Sequence, residues 1–132
     1  MSIDYFLYTS CLANDAQVSA VAAVIKQSRA SNAITGITGV LGFDGECFAQ
    51  YVEGPSGAIS RLSAALQRDT RHTAFTVQTS GSVPATQRRF TTWQMGYLDV
   101  EADALNIAEL SQMRGDAALQ YFLEKLQALD IA

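Results

Sequence analysis

This sequence predicts an α+β domain in which one sheet carries two helices on a single face. Three observations lead there. Runs rich in branched and aromatic residues, at 3–9, 36–43 and 46–53 among others, are interrupted by two longer segments whose apolar residues recur at helical spacing. Asp44-Gly45, between the second and third runs, is a strong hairpin signal and makes those strands antiparallel neighbours. The resulting order, β-α-β-β-α-β-β, fits a ferredoxin-like arrangement with right-handed crossovers.

The elements follow in order. Residues 3–9 alternate as a strand, with Phe6 and Tyr8 on one face and Ile3, Tyr5 and Leu7 on the other. Asn14 or Asp15 caps a helix running to about residue 30, whose buried stripe is Val18, Val21, Ala22 and Ile25. Extending that stripe reaches Ser28 and Asn32. Residues 36–43 and 46–53 form the hairpin, ended by Gly54-Pro55. Residues 56–68 form the second helix, with Ile59, Leu62 and Leu66 inward. Residues 73–79 and 92–100 are the fourth and fifth strands, separated by a loop holding Pro84 and the Arg88-Arg89 pair.

Such a sheet would leave its second face bare, as a large apolar patch. The tail answers this. Residues 104–113 and 116–129 read as two short helices around Gly115, the second striped by Leu119, Phe122, Leu126 and Leu129. They either fold back on the open face or pack at a subunit interface. The chain thus divides into a domain at 1–100 and a helical extension at 101–132.

Composition narrows the function classes. The 132 residues suit one domain, and 48% hydrophobic against 17% charged residues supplies a sizeable core. A net charge of −4, with no basic run longer than Arg88-Arg89, argues against nucleic-acid or anionic-membrane binding. The start lacks a basic region before its apolar run, and no stretch approaches the roughly 20 apolar residues of a membrane span. Cys11 and Cys47 are too few for a disulfide scaffold, and no Cys/His cluster has metal spacing. A soluble, cytoplasmic, metal-free domain is the expectation.

Within ECFAQYVEGP, Gln50 sits in the middle of an otherwise apolar strand. A buried amide left without partners costs about 1–3 kcal/mol. Tyr8, Asn32, Trp93 and Met95 are the candidate partners. In a split β-α-β fold the first and third strands lie side by side, which makes Tyr8 and Gln50 hydrogen-bond neighbours. Blander readings stand beside this one: Asn32 as a helix C-cap, Trp93 and Met95 as core, and Gln50 satisfied by whatever adjoins it. His72 has no evident nucleophile or carboxylate partner for acid–base chemistry.

Taken jointly, YTS at 8–10, SxxSNAITGITGVL at 28–41, FAQYVEGP from 48, RDTRH at 68–72 and RRFTTWQMGY from 88 resemble the BLUF family of flavin-based blue-light sensors. The resemblance covers residues 1 to about 100. It implies a non-covalent flavin between the two helices: FAD, with FMN and riboflavin as the other candidates. Asn32 and Gln50 would meet the flavin's pyrimidine edge, since each planar amide carries both donor and acceptor. Val21, Ala22, Ile25 and Ile59 would wall the dimethylbenzene part. Ser28, Asp69, Arg71 and His72 would lie near the ring or its ribityl-phosphate side.

By the same resemblance, Tyr8 gives the excited flavin an electron and a proton, and Gln50 relays the proton. Gln50 then returns rearranged, giving a reversible red-shifted state. Trp93 and Met95 match the strand that carries the signal onward. The domain is then a sensor and not an enzyme. With no room for an effector before residue 132, output goes to a separate downstream protein or into a light-dependent homo-oligomer, with no direct nucleic-acid or membrane contact. The sequence departs from its relatives at Ser31, where bulkier polar residues occur, and at Gln94, a second amide that offers Gln50 an alternative partner. The competing reading is a light-insensitive ferredoxin-like interaction domain.

Overall fold

The structure, a computed structural model, describes residues 1–13, 18–98, 105–126 and 129–131. Its strands are β1 (Ser2–Leu12), β2 (Thr38–Phe43), β3 (Cys47–Gly54), β4 (His72–Pro84), β5 (Trp93–Leu98) and β6 (Leu129–Ile131). They form one sheet in the order β4-β1-β3-β2-β5-β6. All neighbours are antiparallel except β2 and β5, which run parallel. The β4-β1-β3-β2 part is the ferredoxin-like core.

Two helices, α1 (Val18–Thr35) and α2 (Ser56–Arg68), contribute side chains to the sheet face that holds Phe6, Tyr8 and Gln50. α1 continues to Thr35 instead of stopping near residue 30. Gly36, at φ +78°, supplies the left-handed residue that ends it, and Ile37 N–H closes the turn on the Asn32 carbonyl at 3.1 Å. Asn32 is therefore inside the last turn and is not the cap. The proposed N-caps Asn14 and Asp15, and the side chains of Val21, Ala22 and Ile25, lie outside the described residues.

The hairpin forms as expected. Asp44 Oδ1 accepts from the backbone N–H of Glu46 (2.9 Å) and Cys47 (2.7 Å), and Gly45 takes φ +100°. At Gly39 a side chain is excluded, because a Cβ would fall 1.9 Å from the Tyr51 carbonyl oxygen. β4 runs well past residue 79, since it pairs with β1 from His72 opposite Leu12 to Pro84 opposite Ser2. That ladder shifts register between Leu7 and Tyr8 and again between Thr9 and Cys11, so irregularities flank Tyr8 on both sides.

The tail forms two short helices, as the sequence reading expects, and differs from it at its end. After α3 (Ile107–Leu110) and α4 (Gly115–Lys125), residues 129–131 leave the helical stripe and pair with β5 as β6. A parallel β5 at the rim would otherwise present a row of unpaired backbone groups. On the sheet's second face, Leu7, Val40, Ala49 and Tyr51 form one cluster with Leu105, Ile107, Leu110, Ala118, Leu119 and Phe122.

Two further ties position the site. Glu53 is fully buried; its carboxylate accepts from Arg89 N–H (2.8 Å), Phe90 N–H (2.7 Å) and the Tyr51 hydroxyl (3.1 Å). Arg88 donates to Thr38 Oγ1 (2.7 Å) and the Gly36 carbonyl (3.2 Å). The segment entering β5 is thus fastened to both β2 and β3. Cys11 and Cys47, directly paired in the β1–β3 ladder, form a disulfide, which the bare count of two cysteines did not suggest.

Candidate functional site

Between α1, α2 and the sheet lies a pocket lined by Tyr8, Leu12, Ser28, Asn32, Leu41, Phe48, Gln50, Leu62, Leu66, Asp69, Arg71 and His72. Strand alternation explains its floor. Tyr8 on β1 is paired with Gln50 on β3, Gln50 with Leu41 on β2, and Leu41 with Met95 on β5. One row across four strands therefore faces the helices.

A hydrogen-bonded chain runs along this floor. Gln50 Nε2 donates to the Tyr8 hydroxyl oxygen at 2.7 Å, and Trp93 Nε1 donates to Gln50 Oε1 at 2.9 Å. Indole nitrogen can only donate, so it fixes which end of the amide faces it: oxygen toward Trp93, nitrogen toward Tyr8. All three side chains are buried. Burial holds the Tyr8 phenol far above its ordinary pKa, the Gln50 bond pulls it partly back, and the charge of Asp69 pushes it up again. Tyr8 is therefore a neutral phenol at every ordinary pH.

Two polar groups remain open to the pocket. Gln50 uses one N–H on Tyr8, leaving its second. Asn32 is 3% exposed, yet among the described residues its side-chain amide makes no hydrogen bond. A buried amide turned into a cavity without a protein partner is what a ligand with its own donor and acceptor edge would satisfy.

At the mouth, Asp69 and Arg71 form a bidentate pair (Nε–Oδ1 2.9 Å, Nη2–Oδ2 2.7 Å), and Arg71 reaches Gln27 on α1 at 3.4 Å. Arg71 hydrogen bonding holds the Asp69 carboxyl below the usual carboxylate range, and the pairing raises the guanidinium in turn. His72 is bound on both ring nitrogens, Nε2 to the Leu66 carbonyl (2.6 Å) and Nδ1 to Ser10 Oγ (2.8 Å). Since a carbonyl only accepts, Nε2 carries the proton. His72 thus ties α2 to β1 and stands edge-on to the Tyr8 ring.

Most of the expected residues meet here, with three revisions. Ile59 is not a wall of the pocket. It packs with Phe6, Val52 and Ala58 one turn too early on α2, and Leu62 and Leu66 take that place. Met95 is buried among Leu41, Phe43, Phe48 and Trp93, so Trp93 and not Met95 bonds Gln50. Gln94 is exposed on the opposite face of β5 and offers Gln50 no partner. Ile25 lies on α1 with its side chain outside the described residues. Leu12 and Leu41 were missed as pocket walls; their position on the Tyr8 and Gln50 face is the signal that places them.

Comparison with known proteins agrees with this geometry. A family model described as BLUF, sensors of blue light using FAD, matches residues 3–96. No curated protein matches the chain. Among solved structures, BlrB, a BLUF protein in its dark state, aligns with a TM-score of 0.69 at 26% identity, covering 95% of this chain and 92% of its own. BlrP1 from Klebsiella pneumoniae, in a complex with calcium and cyclic diGMP, aligns at 0.63 and 27% identity over 93% of this chain but 28% of its own. BlsA in its ground state shares the fold at a TM-score of 0.75 and 22% identity, over 96% and 87% of the two chains. Matched over most of its length, the chain belongs to the BLUF family, the sensors of blue light using FAD.

Proposed function

We propose that this domain senses blue light through the Tyr8–Gln50–Trp93 chain, with FAD held between α1 and α2. The hydrogen-bonded chain along the pocket floor is the observation that carries the reading. Asn32 and the free N–H of Gln50 meet the flavin's pyrimidine edge. Leu12, Leu41, Phe48, Leu62 and Leu66 wall the ring, and Ser28, Asp69 and Arg71 line its polar rim, with His72 holding the wall in place. When bound and excited by blue light, FAD supplies a strong one-electron oxidant.

Tyr8 is the donor. Its neutral phenol has an electron to give and, once oxidised, becomes a strong acid. As the bond stands, Gln50 Nε2–H donates to the Tyr8 oxygen, so the phenol proton passes to the amide oxygen only once Gln50 has rearranged. If its nitrogen end comes to face Trp93, two donors meet where a donor and an acceptor met before. An indole N–H left unsatisfied in a buried site costs about 1–3 kcal/mol, enough to displace Trp93 and shift β5.

β5 is the natural exit. Its register with β6 (Gly96 opposite Ile131, Leu98 opposite Leu129) joins the pocket to the end of the α4 segment. Output then passes to a separate downstream protein or changes association with a second copy. BlrP1 and a bacterial light-regulated adenylyl cyclase (23% identity) are longer chains of which this one spans 28% and 35%. A cytoplasmic location fits this role, and no described helix is long and apolar enough to cross a membrane.

The test is the absorption spectrum of FAD-loaded protein before and after blue light, followed in the dark. A flavin band that shifts to the red and recovers is expected. Failure to retain flavin, or bleaching without a shift, would overturn the reading.

A further inference from the structure

The Cys11–Cys47 pair lies outside the flavin pocket but on the strands that build it. In one β1–β3 ladder, Tyr8 pairs with Gln50 and, three rungs on, Cys11 pairs with Cys47. Three rungs are about 10 Å of strand. Leu12 and Phe48, each adjacent to one of the cysteines, are walls of the pocket. On β4, Leu12 pairs with His72, and Ala13 N–H donates to the Arg71 carbonyl at 3.1 Å. The cystine therefore clamps the end of the sheet that frames the pocket mouth.

Both cysteines alternate to the other face of the sheet from Tyr8, and Cys47 packs against the cluster formed with α3 and α4. Each is half-buried, so neither residue is sealed in the core. The chain contains only these two cysteines, so no other thiol of the same chain competes.

We propose that Cys11 and Cys47 are a reversible thiol–disulfide site, a redox input distinct from the flavin, that exchanges with thiols of the glutathione class. A glutathione thiolate attacks one sulfur and breaks the S–S bond, leaving a mixed disulfide and a cysteine thiolate that takes up a proton. A second glutathione thiolate attacks the mixed disulfide, releasing oxidised glutathione and the other cysteine thiol. Two electrons pass to the protein and two glutathiones become one disulfide. The reverse reaction closes the clamp.

The effect on sensing, which rests on the function proposed above, follows from the ladder. Turning the Gln50 amide between Tyr8 and Trp93 requires β1 and β3 to yield slightly. A covalent rung three positions away resists that, so the oxidised form returns to the dark state more slowly, by about threefold. The loop at the mouth is also held more tightly, which favours flavin retention in the oxidised form.

The experiment poises the full chain in buffers of reduced and oxidised glutathione, traps free thiols by alkylation, counts them by mass, and follows dark recovery in the same samples. Full thiol loss in oxidising buffer, with the chain remaining monomeric on a non-reducing gel, is expected. So is slower recovery, with Cys11→Ser and Cys47→Ser recovering quickly in both buffers. Two thiols persisting in oxidising buffer, or disulfide-linked dimers, would overturn the site. A thiol count that responds while recovery does not would overturn the coupling. The thiol count needs no flavin, so its result stands apart from any failure of the light-sensing reading.

Discussion

Replacing Gln50 by leucine removes the middle of the pocket chain while nearly keeping its volume. Two bonds are lost at once, Gln50 Nε2 to Tyr8 at 2.7 Å and Trp93 Nε1 to Gln50 at 2.9 Å. The indole N–H is left buried without an acceptor, at about 1–3 kcal/mol. Tyr8 loses less, because its hydroxyl can turn toward the pocket. Leucine's extra apolar burial offsets about 1 kcal/mol of this. The net destabilisation is about 1–2 kcal/mol, or a Tm lower by roughly 3–10 °C for a chain of this length.

Urea unfolding of the flavin-free protein measures this directly, and a second background isolates its cause. In Trp93→Phe the orphaned donor no longer exists, so Gln50→Leu should cost about 1 kcal/mol less there. In the FAD-loaded protein the same substitution should keep flavin but lose the red-shifted state. An equal cost in both backgrounds would show that the Trp93–Gln50 bond does not carry the stability. A preserved red shift would remove Gln50 from the photochemistry altogether.

The remaining predictions are independent of that cycle. Tyr8→Phe should retain flavin and abolish the red shift, read by difference absorption, because the phenol's electron and proton are gone while its ring packing stays. Asn32→Ala should weaken FAD retention by about tenfold, the loss of roughly one buried hydrogen bond to the ligand, with little change in flavin-free stability since the amide has no partner among the described residues. Ala74→Gly should raise stability by about 1 kcal/mol in urea, because Ala74 sits at φ +56°, where a Cβ is unfavourable. Asp69, whose folded carboxyl titrates below its ordinary value of 3.8, contributes stability that is present above that value and lost as pH falls through the folded one. Asp69→Asn should therefore flatten the acid limb of the stability profile, measured by thermal unfolding from neutral pH down.

What the sequence made legible was whatever depends on local pattern. Strand alternation placed Tyr8 and Gln50 on one face, Asp44-Gly45 set the hairpin, and the first and third strands were rightly taken as neighbours. Errors arose where a distant partner decides. Helix α1 was stopped near residue 30 and Gly36 assigned to a strand, whereas the positive φ of Gly36 makes it the helix terminator. Leu129 was read as the end of a helix because it closes an apolar stripe; the open rim of β5, which draws residues 129–131 into the sheet, has no local signature. The choice between Trp93 and Met95 was equally invisible, since both face the same way and only the three-dimensional reach of the indole separates them.

The two ends of β5 are held differently, and that asymmetry gives any movement of Trp93 a direction. Upstream, Glu53 takes the Arg89 and Phe90 backbone N–H groups on one carboxylate oxygen, and Arg88 grips Thr38 and the Gly36 carbonyl. Carboxylate hydrogen bonds of this kind are worth about 1.5–3 kcal/mol each, so the entry to β5 does not give way for the cost of one unsatisfied indole. Downstream, β5 is bordered by a three-residue strand, β6, which has no strand on its outer side among the described residues. A short edge strand is the weaker restraint. Under the function proposed above, displacing Trp93 strains the Glu53 anchor least by moving the exit of β5, so a change at Gln50 would reach the surface there, through β6.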